Sequence, residues 1–239
     1  MTSTQWSWPA SRFTMTFHQQ LSDATTESRR YLLAAPLIQR ALSGHITTEL
    51  YVAFLTQAYH HVRHTVPLMM AVGCRLPERL AWLQEEILEY LGEEHGHEEW
   101  ILNDIEAAGG DRLAAARSRP DVATESMVAY AYDMVTRRNP VGFFGMVHVL
   151  EGTSVALALR AADEVQKVLA LPNQAFSYLR SHGTLDREHV HHLAGILDRL
   201  DEQADRDAVV QCAQAIYWLY GNMFRRLESN AAAQQRSAA

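Results

Sequence analysis

Apolar residues recur along this chain with the 3.6-residue period of a helix from end to end, and no stretch of four to eight residues alternates in the manner of a strand. The pattern predicts an all-α chain. A first helix is expected over about Phe13–Leu33, after which Pro36 opens a short helix that Gly44 stops. Thr47 is placed to cap a long helix reaching about Val72, and a fourth runs from about Pro77 to Ala108, before Gly109-Gly110. Residues 111–121 read as a connection, followed by a helix to Arg138 that Asn139-Pro140 interrupts. A sixth helix covers about Val141–Leu169, a seventh about Asn173–Leu200, and the last about Glu202–Leu227. This is a bundle of seven to eight helices, with an N-terminal arm over residues 1–12, a single domain over 13–228 and a disordered tail over 229–239.

The seventh helix departs from a plain apolar stripe. At 100° per residue, His182, Asp186 and His189 fall within about 60° of one another, on the face that also carries Leu179, Leu193, Leu197 and Leu200. Burying a carboxylate and two imidazoles without partners is costly, so the spacing His-x3-Asp-x2-His points to a metal or to a hydrogen-bonded core triad. Gly183 within this run costs on the order of 1 kcal/mol relative to Ala and marks an expected kink or local opening.

Other helices supply matching groups. Glu94-x-x-His97 lies on the inward side of the fourth helix, a Glu/His pairing that di-iron carboxylate bundles use to hold metals. Most of Glu85, Glu86, Glu89, Glu93 and Glu99 read as a solvated face, and His95 and Glu98 lie at its border. Glu151 sits in an apolar stripe of the sixth helix with Phe144, Val147 and Val155, and a buried Glu is seldom left unpaired. On the third helix His61 and His64 align with Leu50, Phe54 and Leu68, which makes His61 a candidate seventh ligand or an outer-sphere partner. Tyr90, Phe143, Phe144, Met146 and His64 are candidates for a substrate pocket by position on the same helices, with core packing as the competing reading.

Composition narrows the chemistry. The chain has 239 residues, a formal charge of −7, no Lys/Arg cluster and 48% hydrophobic residues, which argues against nucleic-acid or anionic-membrane partners and supplies ample core. The N-terminus lacks the features of a secretory signal and no 18-residue apolar run occurs, so a cytoplasmic, soluble protein is expected. Two cysteines, Cys74 and Cys212, stand far apart, so neither a disulfide framework nor a thiolate metal site is indicated. Ten of the twelve histidines fall in four of the predicted helices. Three carboxylates (Glu94, Glu151, Asp186) and three histidines (His97, His182, His189) without a thiolate suit one or two iron or manganese ions with positions left open for oxygen and substrate; one zinc would need fewer.

In this order and spacing, Glu94 and His97, then Glu151, then His182, Asp186 and His189, the chain resembles the haem-oxygenase-like di-iron oxidases and oxygenases, relatives of thiaminase II and of the enzyme that completes pyrroloquinoline quinone. The resemblance spans about residues 15–228. It implies a haem-oxygenase-like bundle, two Fe(II) ions, O2 as co-substrate, an external electron donor, a homodimer and a small acid or amine substrate. Outcomes in the family include oxidative C–C cleavage of fatty or amino acids, N-oxygenation and nitrile formation. The family's last ligand helix is often mobile, a property that Gly183 fits, and members carry a further Glu on an early core helix where this chain offers His61 or His64. Rival readings on the same fold are a haem-binding protein with His18 as axial ligand, a thiaminase-like hydrolase using Cys212, and a metal-free helical interaction protein.

Overall fold

The computed structural model describes residues 15–238, apart from the side chains of 184–188 and 231–238. The expected N-terminal arm, with Trp6 and Trp8, and the start of the first helix at Phe13 lie outside the described residues. Among those described there are twelve α-helical segments and no strand: α1 Phe17–Ala24, α2 Thr26–Leu33, α3 Pro36–Leu42, α4 Thr48–Val62, α5 Thr65–Gly73, α6 Leu83–Glu94, α7 His97–Ala107, α8 Arg112–Arg117, α9 Val122–Arg137, α10 Phe143–Leu169, α11 Ser177–Asp198 and α12 Gln203–Ala238.

The excess over seven or eight helices comes from breaks inside the predicted first, third and fourth helices, the first at Thr25 between α1 and α2, and from a short helix in the predicted connection. Pro67 has no N–H to offer the carbonyl of Arg63, and the chain turns between α4 and α5 just before it. Gly96, at φ +91°, separates α6 from α7, a conformation a glycine adopts at little cost. The presumed connection over 111–121 contains α8, which Asp111 caps by accepting from the Ala114 amide. The cap expected at Thr47 acts, its hydroxyl accepting from Leu50 N at the start of α4, and Asp121 likewise accepts from Ala123 N at the start of α9. The last helix continues past Leu227 to Ala238, through the segment expected as a tail.

The core centres on α10, which packs chiefly against α11 and α12. Pro140–Leu169 is long and apolar enough to cross a bilayer, but about half of its most apolar window is buried inside the bundle, which accounts for its composition. Two glycines allow the close crossings. A Cβ at Gly145 would come within 2.7 Å of the Ala213 backbone nitrogen and closer still to the Val209 carbonyl, so α10 and α12 touch at backbone distance there. A Cβ at Gly183 would come within 2.6 Å of Leu159 Cγ, so α11 meets α10 at that point. Gly183 therefore marks a tight helix crossing in an unbroken α11, where a kink or opening was expected.

Buried polar groups pin the ends of the elements that carry the candidate site. Asp104 of α7, fully buried, accepts from the amides of Ser177 (3.0 Å) and Tyr178 (2.9 Å) and from the Ser177 hydroxyl, and so holds the N-terminus of α11. Tyr51 donates to the Ala175 carbonyl at 2.7 Å just ahead of that helix and stacks on Phe176. Asp205, near the start of α12, receives Arg79 at 2.6 and 3.1 Å and Asn139 at 2.8 Å.

Candidate metal centre

Glu94 ends α6 and His97 opens α7, so they meet across the Gly96 turn and not, as expected, along one helical face. Both are buried, and His97 Nδ1 lies 3.1 Å from Glu94 Oε2. Burial disfavours the Glu94 charge, but the His97 hydrogen bond and the nearby His182, His97 and His189 hold its carboxyl below the usual range. A carboxylate only accepts, so Nδ1 of His97 is the donor in this hydrogen bond.

From α11, His182 places Nδ1 3.1 Å from the Tyr178 carbonyl, to which it likewise donates. The two imidazoles lie edge to face at 4.8 Å, and donor atoms of Glu94, His97 and His182 all fall within 4.8 Å of one another. Trp100 lies 4.0 Å from the His97 ring and Tyr178 4.7 Å from that of His182, both centroid to centroid, and their packing restricts how far the imidazoles can turn.

About two turns further along α11 stands His189, also buried. Its Nε2 lies 3.1 Å from Glu93 Oε2 and its Nδ1 4.0 Å from Glu151 Oε1, so the ring is flanked by two carboxylates. Glu93, read from the sequence as part of a solvated face, thus turns toward the cluster with its side chain 42% exposed. Tyr90 packs at 6.0 Å from the His189 ring, and burial together with the charges of Glu151 and Glu93 raises its phenol far above the usual value, which keeps it neutral. The side chain of Asp186 lies outside the described residues; its backbone belongs to α11.

His61 is 2% exposed, lies edge-on to Tyr220 at 5.7 Å, and has no hydrogen-bond partner for either ring nitrogen among the described residues. Burial, reinforced by His182, His64 and His60, pushes it down to about 3, so it is neutral at physiological pH. His64 instead meets the Tyr132 hydroxyl at 3.1 Å and His60 meets Ser118 at 2.8 Å.

A cavity of about 150 Å3, the size that holds benzene in an engineered protein core, adjoins this cluster. Glu94, Glu151, His61 and His182 lie in its wall, whose other residues are mostly apolar side chains of α3, α4, α5, α10, α11 and α12, and no Lys or Arg among the described residues lines it. Of the expected pocket residues Phe143 and Met146 line it; Tyr90, Phe144 and His64 do not. Tyr90 is drawn to His189 and His192, Phe144 is buried in the core, and His64 is turned to Tyr132.

A second Glu/His group, Glu86, Glu89 and His192, also gathers its donor atoms within 4.8 Å. There Arg199 lies 2.8 Å from Glu86 and already supplies the opposing charge. Cys212 is fully buried against α10 and its thiol is pushed up to about 12 by burial, so it offers no thiolate. His18 lies edge-on to His148 at 5.8 Å and does not line the cavity.

The donors present are imidazole nitrogens and carboxylate oxygens, and this set fits iron or manganese. Comparison with functionally curated proteins finds no match. Among solved structures, a domain of unknown function with a haem-oxygenase-like fold from Shewanella denitrificans superposes with a TM-score of 0.81 at 25% identity, over 92% of this chain and 95% of that one. A TenA homologue from Pseudomonas syringae pv. tomato gives 0.75 at 9% identity, over 95% and 100%. Haem oxygenase-1 of the cyanobacterium Synechocystis, in complex with haem, gives 0.73 at 12% identity, over 94% and 97%. The fold is haem-oxygenase-like, and with residues 52–221 matching the iron-containing redox enzyme family, the chain belongs to that family.

Proposed function

We propose that this protein is a non-haem di-iron oxidase that uses O2 to oxidise a small acid or amine carrying an apolar portion. The observation that carries the reading is the meeting of Glu94, His97 and His182, beside Glu151 and His189, at the wall of an apolar cavity. Glu94, His97, His182, Glu151 and His189 would hold the metals, with Asp186 as the remaining ligand the sequence pattern suggests. Two iron ions, when bound, supply the O2 chemistry.

The protein's own part is to arrange that chemistry. Glu94 and the Tyr178 carbonyl take up Nδ1 of His97 and of His182, and Asp104 fixes the start of the helix that brings His182 and His189 inward. The apolar wall excludes water from the reacting groups and accepts a hydrocarbon portion of the substrate. Because no cationic side chain among the described residues lines the cavity, a substrate carboxylate would find its counter-charge at the metals. A cytoplasmic homodimer served by an external electron donor completes the reading. The test is O2 consumption by iron-loaded protein across alkyl acids, alkyl amines and apolar amino acids. Substrate-dependent uptake that His97→Ala abolishes is expected; uptake unchanged in His97→Ala and in metal-stripped protein would refute the reading.

A further inference from the structure

We propose that His61 is a metal ligand of this centre, bringing a fourth imidazole from α4 to join His97, His182 and His189. The inference rests on the metal-centre reading above. Buried polar atoms in folded proteins almost always have a hydrogen-bond partner, and the two neighbouring histidines obey this: His60 meets Ser118 and His64 meets Tyr132. His61, the most deeply buried of the three, has both ring nitrogens without a partner among the described residues.

Its position says what would satisfy it. His61 shares the cavity wall with Glu94, Glu151 and His182, and His182 is its strongest titratable neighbour. Core packing explains the ring but not the nitrogens, since a Leu or Phe would fill the same space beside Tyr220 without burying two polar atoms. A cation held by the neighbouring carboxylates and histidines would give one of those nitrogens a partner.

The choice of imidazole has a consequence for the substrate. A neutral donor at His61 adds no negative charge to that of Glu94, Glu151 and Glu93, so the metals keep more of their attraction for an anionic head group.

Cobalt(II) loading of the full chain tests this without turnover, because each coordinated imidazole gives a paramagnetically shifted, exchangeable N–H resonance. Four such resonances are expected in the wild type and three in His61→Leu, with cobalt affinity at one position lower by about 100-fold, the upper end of what loss of an outer-shell partner costs. His61→Glu should restore affinity without restoring the fourth resonance. Three resonances in both wild type and His61→Leu, with equal affinity, would overturn the role of His61 while leaving the metal centre standing. A wild-type chain that binds no cobalt would overturn both. The wild-type count stands even if a variant fails to fold.

Discussion

His61 makes the stability of the metal-free protein sensitive to acid by an amount that can be worked out. Its folded-state value of about 3 lies below the ordinary 6.5, because burial and the nearby His182, His64 and His60 oppose its charge. As pH falls below 6.5 the unfolded chain takes up a proton that the folded chain refuses, so stability is lost with falling pH through the window from 6.5 down to about 3. At about pH 5 the deficit is roughly 1.5 pH units, or about 2 kcal/mol at 1.36 kcal/mol per unit. Urea unfolding of chelator-treated protein at pH 7 and pH 5 should therefore show the wild type losing about 2 kcal/mol more than His61→Leu over that interval. His148, pushed down to about 4 by burial and by His18 and Arg29, adds a similar loss to both proteins and cancels in the comparison. Equal losses in wild type and His61→Leu would show that the imidazole is solvated or partnered and would refute the reasoning.

Other perturbations probe the scaffold. Gly145→Ala should destabilise the fold by about 1–3 kcal/mol in urea titration, since its Cβ would run into the α12 backbone. Asp104→Ala removes the acceptor at the start of α11 and should cost about 1–2 kcal/mol, together with weaker metal binding measured by competition with a chromophoric chelator. Cys74, which is exposed, should react with a thiol reagent in the native state at pH 8, whereas Cys212 should react only on unfolding.

Much of the centre is visible in the sequence because burying carboxylates and imidazoles is unusual enough to stand out from a helical stripe. His182, His189 and Glu151 could be placed on inward faces from periodicity alone, since α10 and α11 run unbroken through them. Periodicity fails where the helix it assumes is interrupted. The wheel drawn through Glu93–Glu99 does not survive the left-handed Gly96, so Glu93 was assigned to solvent although it reaches His189, and Glu94 and His97 meet by a turn. Pro67 carried a readable signal for the break after α4. Gly183 did not reveal its reason, because the side chain it makes room for, Leu159, lies on another helix. Asp104 sat unnoticed among Ile101 and Ile105 because its partners, the amides of Ser177 and Tyr178, are brought to it only by the tertiary fold.

The most direct measurement is anomalous diffraction at the iron edge from crystals of iron-loaded protein. Two peaks about 4 Å apart or closer, bounded by Glu94, His97 and His182 on one side and Glu151 and His189 on the other, are predicted. An interior without iron at the Glu94–His97–His182 cluster, with metal confined to surface carboxylates such as Glu86 and Glu89, would contradict the account.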